Sequence, residues 1–111
     1  MDITITARDC TLSRSIQRRA EAGIRRLGRF EPRVQAASLR FRRERGLHHV
    51  EARLTVPGVP LVIARASDAD CRTALDRATG RLERQLRSGR TRRREHRAPR
   101  LAERFAPAGG G

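Results

Sequence analysis

His49-Val50-Glu51-Ala52-Arg53-Leu54-Thr55-Val56 decides the fold: Val50, Ala52, Leu54 and Val56 alternate with His49, Glu51, Arg53 and Thr55. Successive side chains of a strand point to opposite faces, so this stretch is a strand with one face on a core and the other in water. Pro57-Gly58 turns the chain after it, and Glu44-Arg45-Gly46 marks a turn before it. Upstream, Val34 to Arg43 alternates again, with Ala37, Leu39 and Phe41 facing one way and Ser38, Arg40 and Arg42 the other. Downstream, Leu61 to Ala66 reads as a strand in which the consecutive Leu61, Val62 and Ile63 leave the inward face open. Near the start, Ile3, Ile5 and Ala7 alternate with Thr4 and Thr6 and supply one more strand.

Two helical periods complete the pattern. Thr11 or Ser13 can cap the first, in which Leu12, Ile16, Ala20, Gly23, Ile24 and Leu27 recur at helical spacing; Gly28 supplies its stop and Pro32 closes the connection. Ser67, Asp68 or Asp70 can cap the second, with Cys71, Leu75, Ala78, Leu82 and Leu86 along one face. The expected fold is therefore α+β, in the order β-α-β-β-β-α. A right-handed first crossover and a meander of later strands put both helices on one face of a four-stranded sheet. The opposite face, with Thr4, Thr6, Ser38, Arg40, Arg42, His49, Glu51 and Arg53, is left open to water. The 111 residues allow one core. From Arg87 the apolar period stops, so the domain is expected over residues 1–88, with a fraying helix passing into a basic, flexible tail over 89–111.

All 26 basic residues are Arg, against 12 acidic ones, for a net charge of +14. Codon bias of a GC-rich genome is one reading of Arg over Lys, but it does not explain the charge itself, and polyanions are the partners such a surface selects. Guanidinium pairs bidentately with phosphate and stacks on bases, which suits folded RNA. With three Phe, no Tyr and no Trp, an aromatic stacking platform is excluded and recognition is expected by shape and charge. Arg18, Arg25, Arg26 and Arg29 on the first helix and Arg77, Arg81, Arg84 and Arg87 on the second, continued by Arg90, Arg92, Arg93 and Arg94, are the candidate RNA contacts. With the helices side by side they form a strip that tracks phosphates.

Other chemistries lack their residues. No Gly-rich phosphate loop, nucleophile elbow or activated Cys is present, and Glu51 and Asp76 stand isolated among Arg, which suits surface ion pairs better than acid-base work. No enzyme, cofactor or small-molecule substrate is expected; a basic nuclease using His48 or His49 is the least implausible catalytic version. Those adjacent histidines point to opposite faces of a strand and cannot jointly grip a metal, and Cys10 and Cys71 have no neighbours at ligand spacing. No run approaches the ~20 apolar residues of a membrane span, and Met1-Asp2-Ile3-Thr4 shows no signal peptide, so a soluble cytoplasmic protein, monomeric away from its target, is expected.

Leu82-Glu83-Arg84-Gln85-Leu86, preceded at matching intervals by Asp70 and Ala74-Leu75-Asp76, together with Val56-Pro57-Gly58 and Ile3-Thr4-Ile5-Thr6, resembles the ribosome hibernation-promoting factor and ribosome-associated inhibitor family, also described as sigma-54 modulation proteins, in its short form. The resemblance covers roughly residues 1 to 95. It implies a β-α-β-β-β-α fold that binds the small ribosomal subunit between head and body, over the mRNA channel and the A- and P-site positions, and blocks translation in stationary phase or starvation. Two departures stand out: Arg72 occupies a place usually aromatic in the family, and a Lys-rich surface has become Arg. The rival expectation is a general RNA- or DNA-binding module of similar topology.

Overall fold

A computed structural model of the chain describes the backbone of residues 1–97 and the side chains of residues 1–88. Its elements are β1 (Asp2–Arg8), α1 (Arg14–Phe30), β2 (Ala36–Glu44), β3 (Leu47–Thr55), β4 (Val62–Asp68) and α2 (Cys71–Arg97), in the expected α+β order. The sheet runs β1-β2-β3-β4, with β1 parallel to β2 and the other pairs antiparallel.

Local chemistry explains the boundaries. Ser13, in an extended conformation, accepts from the Ile16 amide at 3.1 Å and caps α1; Leu12 lies ahead of the helix, partly buried against the core. Gly28 does not stop α1. The helix runs on to Phe30 and ends where Glu31, which precedes Pro32, leaves the helical region. The β2–β3 hairpin pairs Glu44 with Leu47 across Arg45 and Gly46, at φ 54° and 79°, the left-handed pair that a two-residue turn of matching twist requires. Pro57-Gly58 closes a turn in which the Val59 amide donates to the Val56 carbonyl at 3.2 Å, with Gly58 at φ 76°. Asp70 caps α2: its carboxylate takes the Thr73 amide at 3.0 Å and the Thr73 hydroxyl at 2.8 Å. Both bonds hold the Asp70 carboxyl below its ordinary range.

One face of the sheet carries the core. Leu39 and Phe41 of β2, Val50, Ala52 and Leu54 of β3, and Ala64 and Ala66 of β4 are buried, which settles the inward face of β4. Leu61 lies outside that strand and is half exposed. Against this face pack Ala20, Ile24 and Leu27 of α1 and Ala74, Leu75, Ala78, Leu82 and Leu86 of α2. Alanines beneath α2 let its larger residues approach the sheet closely. Beyond Leu86 the backbone of α2 continues to Arg97, through Ser88-Gly89, where fraying was expected. Arginine is a good helix former and offsets the ~1 kcal/mol that a single glycine costs.

Candidate nucleic-acid interface

The outer faces of α1 and α2 meet along a charged seam. Arg19 grips Asp76 bidentately across it, Nε to Oδ1 at 2.7 Å and Nη2 to Oδ2 at 2.8 Å, and this bond lowers the Asp76 carboxyl while raising the guanidinium. Further along the seam, Glu83 faces Arg26 of α1 at 3.5 Å and Arg87 of its own helix at 3.4 Å. Arg87 also stacks over the Phe30 ring, 4.7 Å from its centroid. Between the pairs lies a shallow groove of about 430 Å³ floored by Gly23, Leu27, Thr79 and Gly80.

Every described member of the expected arginine strip is exposed, yet the members differ in what they hold. Arg25 stands 3.9 Å from Glu21, and Arg77 pairs with Asp68 at 3.2 Å. Arg81 folds over the outer edge of the sheet and donates to the Arg65 carbonyl, while Gln85 donates to the Ile63 carbonyl at 2.9 Å. Arg84 lies near them, beside a hollow that also involves Leu61 and Ser88. Arg18, Arg29 and Arg84 have no ion-pair partner among the described residues. The expected strip is thus gathered in two parts, one along the helix seam and one over the β4 edge. The side chains of Arg90, Arg92, Arg93 and Arg94 lie outside the described residues.

The open face of the sheet is a second cationic surface, laid out in rows by the strand register. One row reads Thr6, Arg40, Glu51 and Arg65, and the next Arg8, Arg42, His49 and Ser67. Glu51 receives Arg53 at 2.6 Å and Arg65 at 3.0 Å, which holds its carboxyl low. His49 Nδ1 and the Ser67 hydroxyl are hydrogen-bonded at 2.7 Å. The two rows line a concavity of about 720 Å³. Sequence alternation had already placed Arg40, Arg42 and Arg53 on this face without assigning them a role. Arg8 continues the parity of Thr4 and Thr6, and Arg65 joins through its register with Glu51, which spacing within β4 does not supply.

His48 and His49 do lie on opposite faces: His48 shares the parity of buried Val50, and its Nδ1 is buried with no hydrogen-bond partner among the described residues. Burial pushes the Cys71 thiol up, and neighbouring Cys10 and Asp70 add to the effect, the reverse of an activated nucleophile. Among the described residues no group of three or more His, Cys, Asp or Glu could hold a metal ion, and no helix is long and apolar enough to cross a membrane.

With this geometry in place, the family described as sigma 54 modulation protein / S30EA ribosomal protein matches residues 3–94. The chain belongs to that family. It is a family of ribosome-associated proteins and not a known class of enzyme, and the resemblance carried by Leu82-Glu83-Arg84-Gln85-Leu86 is thereby shown. Similar solved structures include a ribosomal subunit interface protein from Coxiella burnetii, 21% identical at a TM-score of 0.75, covering 82% of this chain and 99% of that one. That likeness carries the fold alone. Another is the N-terminal domain of Protein Y from Thermus thermophilus, 28% identical at a TM-score of 0.69, covering 78% of this chain and 96% of that one. None of the curated proteins compared with the chain matches it.

Proposed function

We propose that this family member is a cytoplasmic ribosome hibernation factor that occupies the small ribosomal subunit at the mRNA channel and the A and P tRNA sites and blocks translation during starvation. The reading is carried by one observation: the paired helices present exposed guanidinium groups on the face turned away from the core, in a chain whose family is ribosome-associated. Arg18, Arg29 and Arg84 have no ion-pair partner among the described residues, whereas Arg25, Arg26, Arg77, Arg81 and Arg87 exchange an intramolecular partner for a phosphate on docking. Arg90, Arg92, Arg93 and Arg94 extend the same helix. Inhibition is then steric exclusion of tRNA and mRNA, held in place by salt-sensitive phosphate contacts and requiring no bond chemistry.

The purified chain is expected to sediment with small subunits and to be displaced when initiator tRNA and mRNA are bound beforehand. Replacing Arg18, Arg29 and Arg84 together with Gln is expected to weaken binding and to flatten the logarithmic salt dependence by about 0.7 to 0.9 for each phosphate that is no longer neutralised. Equal affinity for ribosomes and for duplex RNA of matched charge would instead mark a general nucleic-acid binder and sink the proposal.

A further inference from the structure

The cationic concavity on the open sheet face is on the opposite side of the sheet from both helices, and the ribosome-binding reading above makes no use of it. Five arginines stand on this surface, Arg8, Arg40, Arg42, Arg53 and Arg65, and the carboxylates that face them are Glu44 and Glu51. Glu51 is taken by Arg53 and Arg65, and Glu44 by Arg42 at 3.3 Å. Arg8 and Arg40 are left with no ion-pair partner among the described residues.

Their placement is electrostatically unfavourable. The register sets Arg8 directly opposite Arg42, one interstrand spacing of about 4.8 Å away, with Arg40 one row, about 7 Å, along the strand. Neighbouring guanidinium groups on one sheet face repel each other, an effect that water and the Arg42–Glu44 pair partly screen. None of these side chains contributes to the core, which lies on the other face. An anion held among these guanidinium groups offsets their mutual repulsion and gives them a role that packing does not. Hydroxyl groups border it: Thr6 beside Arg40, and Ser67, hydrogen-bonded to His49. A concavity of about 720 Å³ is within the ordinary range for a small-molecule site, about 300 to 1,000 Å³.

We infer that the sheet-face concavity around Arg8, Arg40 and Arg42 is a binding site for adjacent phosphate groups, separate from the helix strip. Arg8 and Arg42 grip one phosphate from neighbouring strands, Arg40 reaches the next, and Thr6 donates to the oxygens between them. Adjacent phosphates come from two sources, the diphosphate of a free nucleotide or consecutive positions of an RNA strand, and the same groups recognise either.

The test uses the full chain and three probes: inorganic pyrophosphate, a nucleoside triphosphate and a short single-stranded oligoribonucleotide. Titration calorimetry is run on the unsubstituted protein and on Arg40→Gln, Arg8→Gln and Arg14→Gln, the last removing the same charge from the start of α1. Amide shifts of residues 6–8 and 40–42 are followed by NMR. Saturable pyrophosphate and nucleotide binding, weakened about tenfold by Arg40→Gln and by Arg8→Gln but within twofold for Arg14→Gln, supports the site with a free ligand as its occupant. The same pattern with the oligoribonucleotide alone supports the site with RNA as its source. No binding of any probe, or equal weakening by all three substitutions, overturns it. Sedimentation of Arg40→Gln with small subunits, measured in parallel, keeps a failure here distinct from a failure of the helix strip to bind ribosomes.

Discussion

Glu83→Gln is the most discriminating single change in the helix seam, because one carboxylate restrains two of the arginines assigned to RNA. Glu83 is 3.5 Å from Arg26 and 3.4 Å from Arg87, and its side chain is 22% exposed against 65% and 59% for its partners. Solvent around both guanidinium groups screens these pairs. Exposed pairs stabilise by about 0.2 to 1 kcal/mol and an i,i+4 helix pair by about 0.2 to 0.5 kcal/mol, so the whole cost does not exceed about 1.5 kcal/mol. In a domain of this size that lowers Tm by no more than about 6 to 12 °C. The effect on binding has the opposite sign, because Arg26 and Arg87 no longer give up a carboxylate to reach a phosphate. Each phosphate newly engaged steepens the logarithmic salt dependence by about 0.7 to 0.9 and adds about threefold to the affinity gained between 200 and 50 mM salt. Sedimentation with small subunits across a salt series, beside a thermal melt, reads both quantities. A variant that melts within this window and binds with an unchanged or shallower slope would refute the assignment of Arg26 and Arg87 to phosphate contact.

Three further outcomes rest on the packing and pairing already described. Asp70, Asp76 and Glu51 have carboxyls held below their ordinary range, so their contribution is fully present above the unfolded value, about 4, and is lost as pH falls through that value toward the folded one; a Tm unchanged between pH 6 and pH 3 would contradict these pairings. Phe41→Ala empties the largest fully buried side-chain position and is expected to cost about 3 to 5 kcal/mol, seen as a fall in the urea midpoint at constant slope. Arg81→Ala with Gln85→Ala uncovers the carbonyls of Arg65 and Ile63 on the sheet edge and is expected to produce concentration-dependent self-association by analytical ultracentrifugation. A variant that remains monomeric at high concentration would show that the edge needs no such cover.

The architecture was legible because burial acts with a simple period. Val50, Ala52 and Leu54 fall on the inward face that alternation assigns to them, and Ala20, Ile24 and Leu27 on the helical stripe. Sequence and structure part where local signals compete. Gly28 reads as a stop, but the stronger constraint came from Pro32 acting on Glu31. Three consecutive apolar residues at Leu61 to Ile63 carry no alternation, so the inward face of β4 was settled by its pairing with β3. The site was harder still. Helical spacing shows that Arg19, Arg26 and Arg77 face outward, but whether an outward guanidinium meets Asp76, Glu83 or Asp68 depends on how α1, α2 and β4 lie against one another, and sequence spacing does not encode that.

The use of Arg throughout gives these carboxylates a further consequence. A lysine beside Asp76 would make a point contact and turn freely, whereas Arg19 is fixed by two parallel bonds at 2.7 and 2.8 Å, so the pair joins α1 to α2 as well as cancelling a charge. The same fork lets Arg81 reach from α2 to a backbone carbonyl of the sheet edge. Among the described residues, guanidinium groups divide into those that hold the fold together and those with no ion-pair partner. On the proposed ribosome-binding reading, RNA would meet first Arg18, Arg29 and Arg84, which have no ion-pair partner among the described residues, and would recruit Arg26 and Arg87 by displacing Glu83. Because that exchange sets one phosphate contact against one internal ion pair, the proposed docking would gain most where several phosphates converge, as they do on folded RNA.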